Sequence, residues 1–242
     1  MKNSITYSLL ESIDSSNIVD LSVDYSELAL DTIVENPLMK ELPIIKTIRA
    51  IYKAGVSIRE RFLIKKTLVF IQTFNTSGIS KTEFEKYKNR LNDNPKKASK
   101  ELEHIVILLD RQAEYIKGAI LANLYSSFIR ERIKWNIFSV FGTILDDLST
   151  YDLDYFRLFY PKKAYSAFSD MDKIDNLAVA RLSRNDLVNF TDPTHGISVP
   201  ILDDGSEGDV NILTLTKTGE LFYTEGMKNI SLERFDFFKS GL

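Results

Sequence analysis

The chain has 242 residues, 44% of them hydrophobic and 27% charged, with a net charge of -3. That is enough apolar material for a substantial core in one large domain or two small ones, without staples. With no cysteine, disulfides, thiolate nucleophiles and Cys-ligated zinc are excluded, which fits a reducing, cytoplasmic setting.

The opening "MKNSITYSLLESIDSS" has one lysine followed by polar, acid-containing residues, so no secretory leader is expected. No apolar run is long enough to cross a bilayer as a helix. Charge is uneven along the chain: residues 1–41 hold two basic and eight acidic side chains, whereas 42–75 hold seven and one. The lead, 1–41, shows scattered apolar positions without a sustained period, and reads as loosely ordered with one short helix near 25–35.

From Leu42 the pattern sharpens. In "LPIIKTIRAIYKAGVSIRERFLIKK", residues Ile44, Ile45, Ile48, Ile51 and Tyr52 line one side of a helix whose first turn suits Pro43. Gly55 offers a left-handed stop, and Ser57 with Glu60 has the S-x-x-E form that satisfies the free amides of a new start. The helix that follows, about 58–74, is apolar almost all round, from Ile58 and Phe62 through Leu68 to Phe74, and is expected to be central and buried.

Ser80 and Glu83 repeat the capping pattern, and "NDNP" at 92–95 closes that helix. Ser99 is the candidate cap for the next start, after which the helical period runs to about Asp147, with a joint expected in "FIRERIKW". Beyond "DDLST" the units shorten: a helix near 152–160, another near 172–186, then "LVNF", a turn-rich stretch and "VNILTL".

A helix ending in "ARLSRNDLVNF", followed by a hairpin whose second strand runs into "LTLTKTGELFY", resembles the last helix and wing of a bacterial winged-helix domain. In that family a strand ending in L-T-x-x-G, followed by an aromatic, closes the wing and starts a terminal helix; here those positions are Leu215, Thr216, Gly219 and Phe222. The sequence departs from that pattern at Asn185 and Asp186, where a glycine commonly precedes the wing strand. The overall plan, carried by residues 42–66 and the tail, is similar to the abortive-infection alpha group of phage-resistance proteins. The expected fold class is therefore mainly α: a helical bundle over 42–148 followed by a small α+β winged-helix-like module over 149–242.

Catalytic chemistry finds little purchase. His104 and His195 are isolated, where metal sites usually need three or four ligands, and no phosphate-cradling glycine loop or G-x-S-x-G is present, so no cofactor or metal is expected. The acidic stretch at 203–209 puts Gly205 where a calcium loop needs an oxygen ligand. Asp146, Asp147, Asp152 and Asp154 straddle a helix junction, where acids favour the coming dipole.

The basic stretch is the more informative feature. Lys46, Arg49, Lys53, Arg59, Lys65 and Lys66 form the candidate partner-binding set, which suits an acidic protein, the acidic lead of this same chain, or an anionic membrane surface. The alternative is a DNA-binding regulator using Arg181, Arg184 and Asn185, against which the acids of the wing argue, because phosphate attraction dominates nonspecific affinity. The expected function is protein-protein interaction without catalysis, in a bacterial defence or mobile-element setting.

Overall fold

The computed structural model describes residues 5–14, 32, 36–51, 57–166, 170–191 and 210–230. Lys53, Gly55, His195, the acidic stretch at 203–209 and the short helix expected near 25–35 lie outside the described residues, the last apart from residue 32. The chain forms two compact units, residues 1–146 with 229–242, and residues 147–228. Among the described residues there are eleven α-helices and one three-stranded antiparallel sheet. No helix among them is long and apolar enough to cross a membrane.

The first unit is helical. It contains α1 (Ile5–Asp14), α2 (Pro37–Glu41), α3 (Pro43–Ile51), α4 (Ile58–Thr76), α5 (Lys81–Asp93), α6 (Pro95–Arg111), α7 (Ile116–Ile129) and α8 (Trp135–Asp147), whose last residue opens the second unit. Reciprocal capping boxes at Ser57 with Glu60 and at Ser80 with Glu83 start α4 and α5, as the S-x-x-E spacing requires. The next start is not at Ser99, which lies inside α6. Asn94 caps it instead, its side chain accepting from the Lys97 amide, and Pro95 takes the first helical position, where its missing N–H costs nothing. The joint in "FIRERIKW" falls between α7 and α8, where Glu131 turns the chain at a φ of 61°.

The most enclosed element is α7, buried on every side except at Asn123. It lies against α4, and the two backbones come so close that a Cβ on Gly118 would sit 2.9 Å from the Lys66 carbonyl oxygen. In α4, burial runs unbroken from Leu63 to Ile71, while Ile58 and Phe62 are exposed, contrary to the all-round burial expected from their apolar character. The first turn lies before that buried run, and only Glu60, held by the cap, is buried there.

Residues 5–14 also differ from the loosely ordered lead expected there. As α1 they pack on α3 and α6, burying Leu9 and Ile13. Serines complete the contact: Ser12 Oγ donates to the Ser8 carbonyl at 2.7 Å and accepts from the Ile44 amide at 2.9 Å, while Ser8 Oγ meets Thr47 Oγ1 at 2.7 Å.

The second unit contains α9 (Thr150–Phe159), β1 (Ala164–Ser166), a 3-10 turn (Met171–Lys173), α10 (Asn176–Arg184), β2 (Val188–Phe190), β3 (Asn211–Leu215) and α11 (Lys217–Phe222), which widens into a π turn (Tyr223–Met227). The sheet order is β1-β3-β2, with Phe190 and Tyr165 both opposite Leu213. Leu213 and Phe222 are fully buried, together with Phe156, Leu182, Leu187 and Ile212. Gly219 is required where it stands, since any Cβ there would collide with the Leu187 carbonyl. Thr216 caps α11 by accepting from the Gly219 amide at 2.8 Å.

Candidate functional site

The cations nominated from the sequence do not form one exposed face. Lys46 on α3 is exposed and pairs with Glu41 at 2.6 Å, and Arg49 is half-buried on the same helix. Arg59 at the start of α4 engages Asp110 through two nitrogens.

Lys65 and Lys66 are buried, and this removes them from any solvent-facing partner surface. Lys65 places its ammonium over the Tyr115 ring, 4.3 Å from the centroid. Lys66 donates to the backbone carbonyls of Asp110 at 3.0 Å and Gln112 at 2.6 Å, satisfying oxygens at the C-terminal end of α6 where the helix dipole is negative. Burial lowers its pKa to about 8, against the opposing attraction of Asp110. The sequence showed charge, but the hydrocarbon stems of lysine allow either placement.

The second nominated set is tied internally too. Arg181 Nε contacts both Asp152 carboxylate oxygens at 2.8 Å and its Nη2 reaches Oδ1 at 2.6 Å. Asp152 is fully buried and also accepts from Ser149 N at 2.8 Å and Oγ at 2.7 Å, so Arg181 neutralises the acid that caps α9. Arg184 and Asn185 both hold Asp147, the Asn185 amide at 2.8 Å, and the hydrogen bond from Asn185, with that from Arg184, pulls the Asp147 carboxyl below its usual pKa. The remaining junction acids follow suit, Asp146 with Arg111 and Asp154 with Arg157. Each of these carboxylates has its own arginine. Among the described residues, no group of three His, Asp or Glu is placed to hold a metal ion. His104 packs edge-on to Trp135 at 5.6 Å, and burial lowers its pKa.

The feature sequence reasoning missed is an apolar seam in the second unit. Tyr151, Tyr155 and Leu158 recur at i, i+4 and i+7, so they share one side of α9. The turn entering α10 is fastened to that side: Tyr155 OH donates to the Lys173 carbonyl at 3.1 Å, and Tyr151 OH donates to the Asp175 carboxylate. Asp175 in turn caps α10 by accepting from the Ala178 amide at 2.9 Å. Burial raises the Tyr155 pKa to about 12, and the bond to Asp175 raises that of Tyr151. Along the fastening, four large apolar side chains are more than half exposed: Tyr151 57%, Leu158 59%, Met171 51% and Leu177 71%. The i, i+4, i+7 spacing was visible in "TYDLDYFRLF", but the inward-facing Leu153 and Phe156 in the same stretch obscured which side stays outside.

No family profile matches the sequence, and neither a curated protein nor a solved structure shows significant similarity to it.

Proposed function

We propose that the protein is a non-enzymatic interaction protein that docks another protein through the seam formed by α9 and the turn entering α10. The observation that carries this reading is the exposure of Tyr151, Leu158, Met171 and Leu177 on two elements fastened together through Tyr151 and Tyr155, because exposed apolar side chains concentrated on neighbouring elements mark interaction sites. Tyrosine adds affinity at such surfaces through large contact area at low entropic cost.

The regulator reading has less support. Arg181, Arg184 and Asn185 would have to leave Asp152 and Asp147 before they could contact a nucleic acid, which would leave a fully buried carboxylate unpaired. The hairpin of β2 and β3 running into a capped helix at Thr216 and Gly219 supports the winged-helix resemblance, and modules of that kind dock proteins as well as DNA. A phage-defence or mobile-element setting follows from the resemblance in plan alone. Membrane attachment by residues 42–66 loses support from the burial of Lys65 and Lys66.

The test introduces charge into the seam. Leu158→Glu with Leu177→Glu should leave the unfolding free energy within about 1 kcal/mol, as exposed substitutions usually do, while abolishing the capture of whichever protein the unaltered chain retains from its native cells. Capture that survives the double substitution would overturn the assignment.

A further inference from the structure

A second site lies in the first unit and is independent of the docking seam. Glu83, Lys86, Tyr87 and Arg90 occupy positions i, i+3, i+4 and i+7 of α5 and form one wall of a cleft of about 190 Å³. Arg130 and Glu131, just past the end of α7, form the facing wall. From the cleft wall Tyr87 reaches into a buried polar chain. Tyr87 donates to the Glu101 carboxylate, and the hydroxyl of fully buried Tyr125 then donates to the Tyr87 oxygen.

Above this chain, the Arg90 guanidinium carbon sits 4.9 Å from the centroid of the Tyr87 ring and 4.9 Å from that of Phe128. Two rings therefore flank the cation and hold its position. Its nearest carboxylate oxygen, on Glu101, is 3.9 Å away, within ion-pair range but beyond hydrogen-bond reach. No hydrogen bond among the described residues uses an Arg90 N–H, and the side chain is 45% exposed. It is a pre-oriented fork of donors with its edge open.

The open donors of Arg90 and Arg130, rather than net charge, favour an anion. Lys86, Arg90 and Arg130 bring three cations to the cleft against the carboxylates of Glu83 and Glu131; Glu131 is paired with Lys86 at 3.1 Å, and Glu83 accepts from Ser80 N at 2.8 Å and Oγ at 2.7 Å while keeping its charge, so the donors left to a ligand are those of Arg90 and Arg130. Arg130 spends one nitrogen on the Ser77 carbonyl. Phosphate, with several oxygens to meet cations from two walls, matches this better than a planar carboxylate would. The cleft accommodates a compact group such as phosphate.

We propose that this cleft binds the phosphate group of a small phosphorylated molecule, with Arg90 as the principal ligand and Arg130 on the facing wall as the second. The probes are inorganic phosphate and glycerol phosphate, with malonate as the carboxylate comparison, titrated by calorimetry against the full chain at matched ionic strength. Both phosphates should bind at least about tenfold more tightly than malonate, the discrimination expected of well-matched charge-assisted bonds. Arg90→Lys, which keeps the charge but loses the flat fork, should weaken phosphate about tenfold. Because Arg90 also packs on two rings, Lys86→Ala provides a second reading at a largely exposed position and should weaken phosphate as well, since it leaves the Glu131 carboxylate unpaired in the cleft. Binding that ignores both substitutions, malonate binding equal to phosphate, or no heat with either phosphate would each overturn the proposal.

Discussion

The Lys66 ammonium is held by the Asp110 and Gln112 carbonyls inside the first unit, where burial brings its pKa from the usual 10.5 down to about 8. Between those two values the unfolded chain still binds a proton that the folded chain has released, so stability rises with pH across that window. Above about pH 10 the opposite sign sets in, because Tyr87 and Tyr125 are held neutral in the fold by burial while unfolded tyrosine ionises. Chemical denaturation from about pH 8 to about pH 10 should show a rise in unfolding free energy that Lys66→Met flattens. Parallel curves for the two proteins would mean that Lys66 does not titrate in that range. Nothing in "RFLIKK" announced this residue as internal. Two adjacent lysines read as solvated charge, and only the position of the α6 carbonyls reveals an internal use for the second.

At the scale of elements, what the sequence revealed best was where helices begin. Ser57 with Glu60 and Ser80 with Glu83 are local devices, complete within four residues, and both form reciprocal boxes. A third box uses Ser149 and Asp152, where the shorter acid serves both the cap and Arg181. Elements defined by distant partners were illegible. Helix α1 buries two hydroxyl-bearing serines against α3, so its apolar period is thin, and β1 is three residues whose pairing with β3 spans about fifty positions. The contact of α4 with α7 belongs to the same class, and Gly118 is its sensitive point. Alanine would ordinarily favour a helix over glycine by about 1 kcal/mol. Here the added methyl meets the Lys66 carbonyl at 2.9 Å, backbone that cannot rotate aside, so Gly118→Ala should destabilise by about 1–3 kcal/mol in a denaturant titration. A stabilised variant would show that the two helices separate readily.

On the scale of the whole molecule, the charge segregation seen along the sequence resolves into local pairs. Lys46 meets Glu41, Arg59 meets Asp110, Arg111 meets Asp146, and Arg184 meets Asp147, so positive charge that looked available for a large acidic partner is already largely matched. Exposed pairs of this kind contribute at most about 1 kcal/mol each, yet each already sets a carboxylate beside its cation, which would repel an approaching polyanion. A chain of net charge -3 should therefore hold random duplex DNA weakly even at low salt. The logarithm of its affinity should fall with the logarithm of salt at a slope no steeper than about -2, corresponding to about two phosphates contacted. Arg184→Ala should leave that slope unchanged, because its charge is already paired with Asp147. A slope near -5 that flattens on loss of Arg184 would mean that the arginines exchange carboxylates for phosphates, and it would favour the regulator over the docking protein.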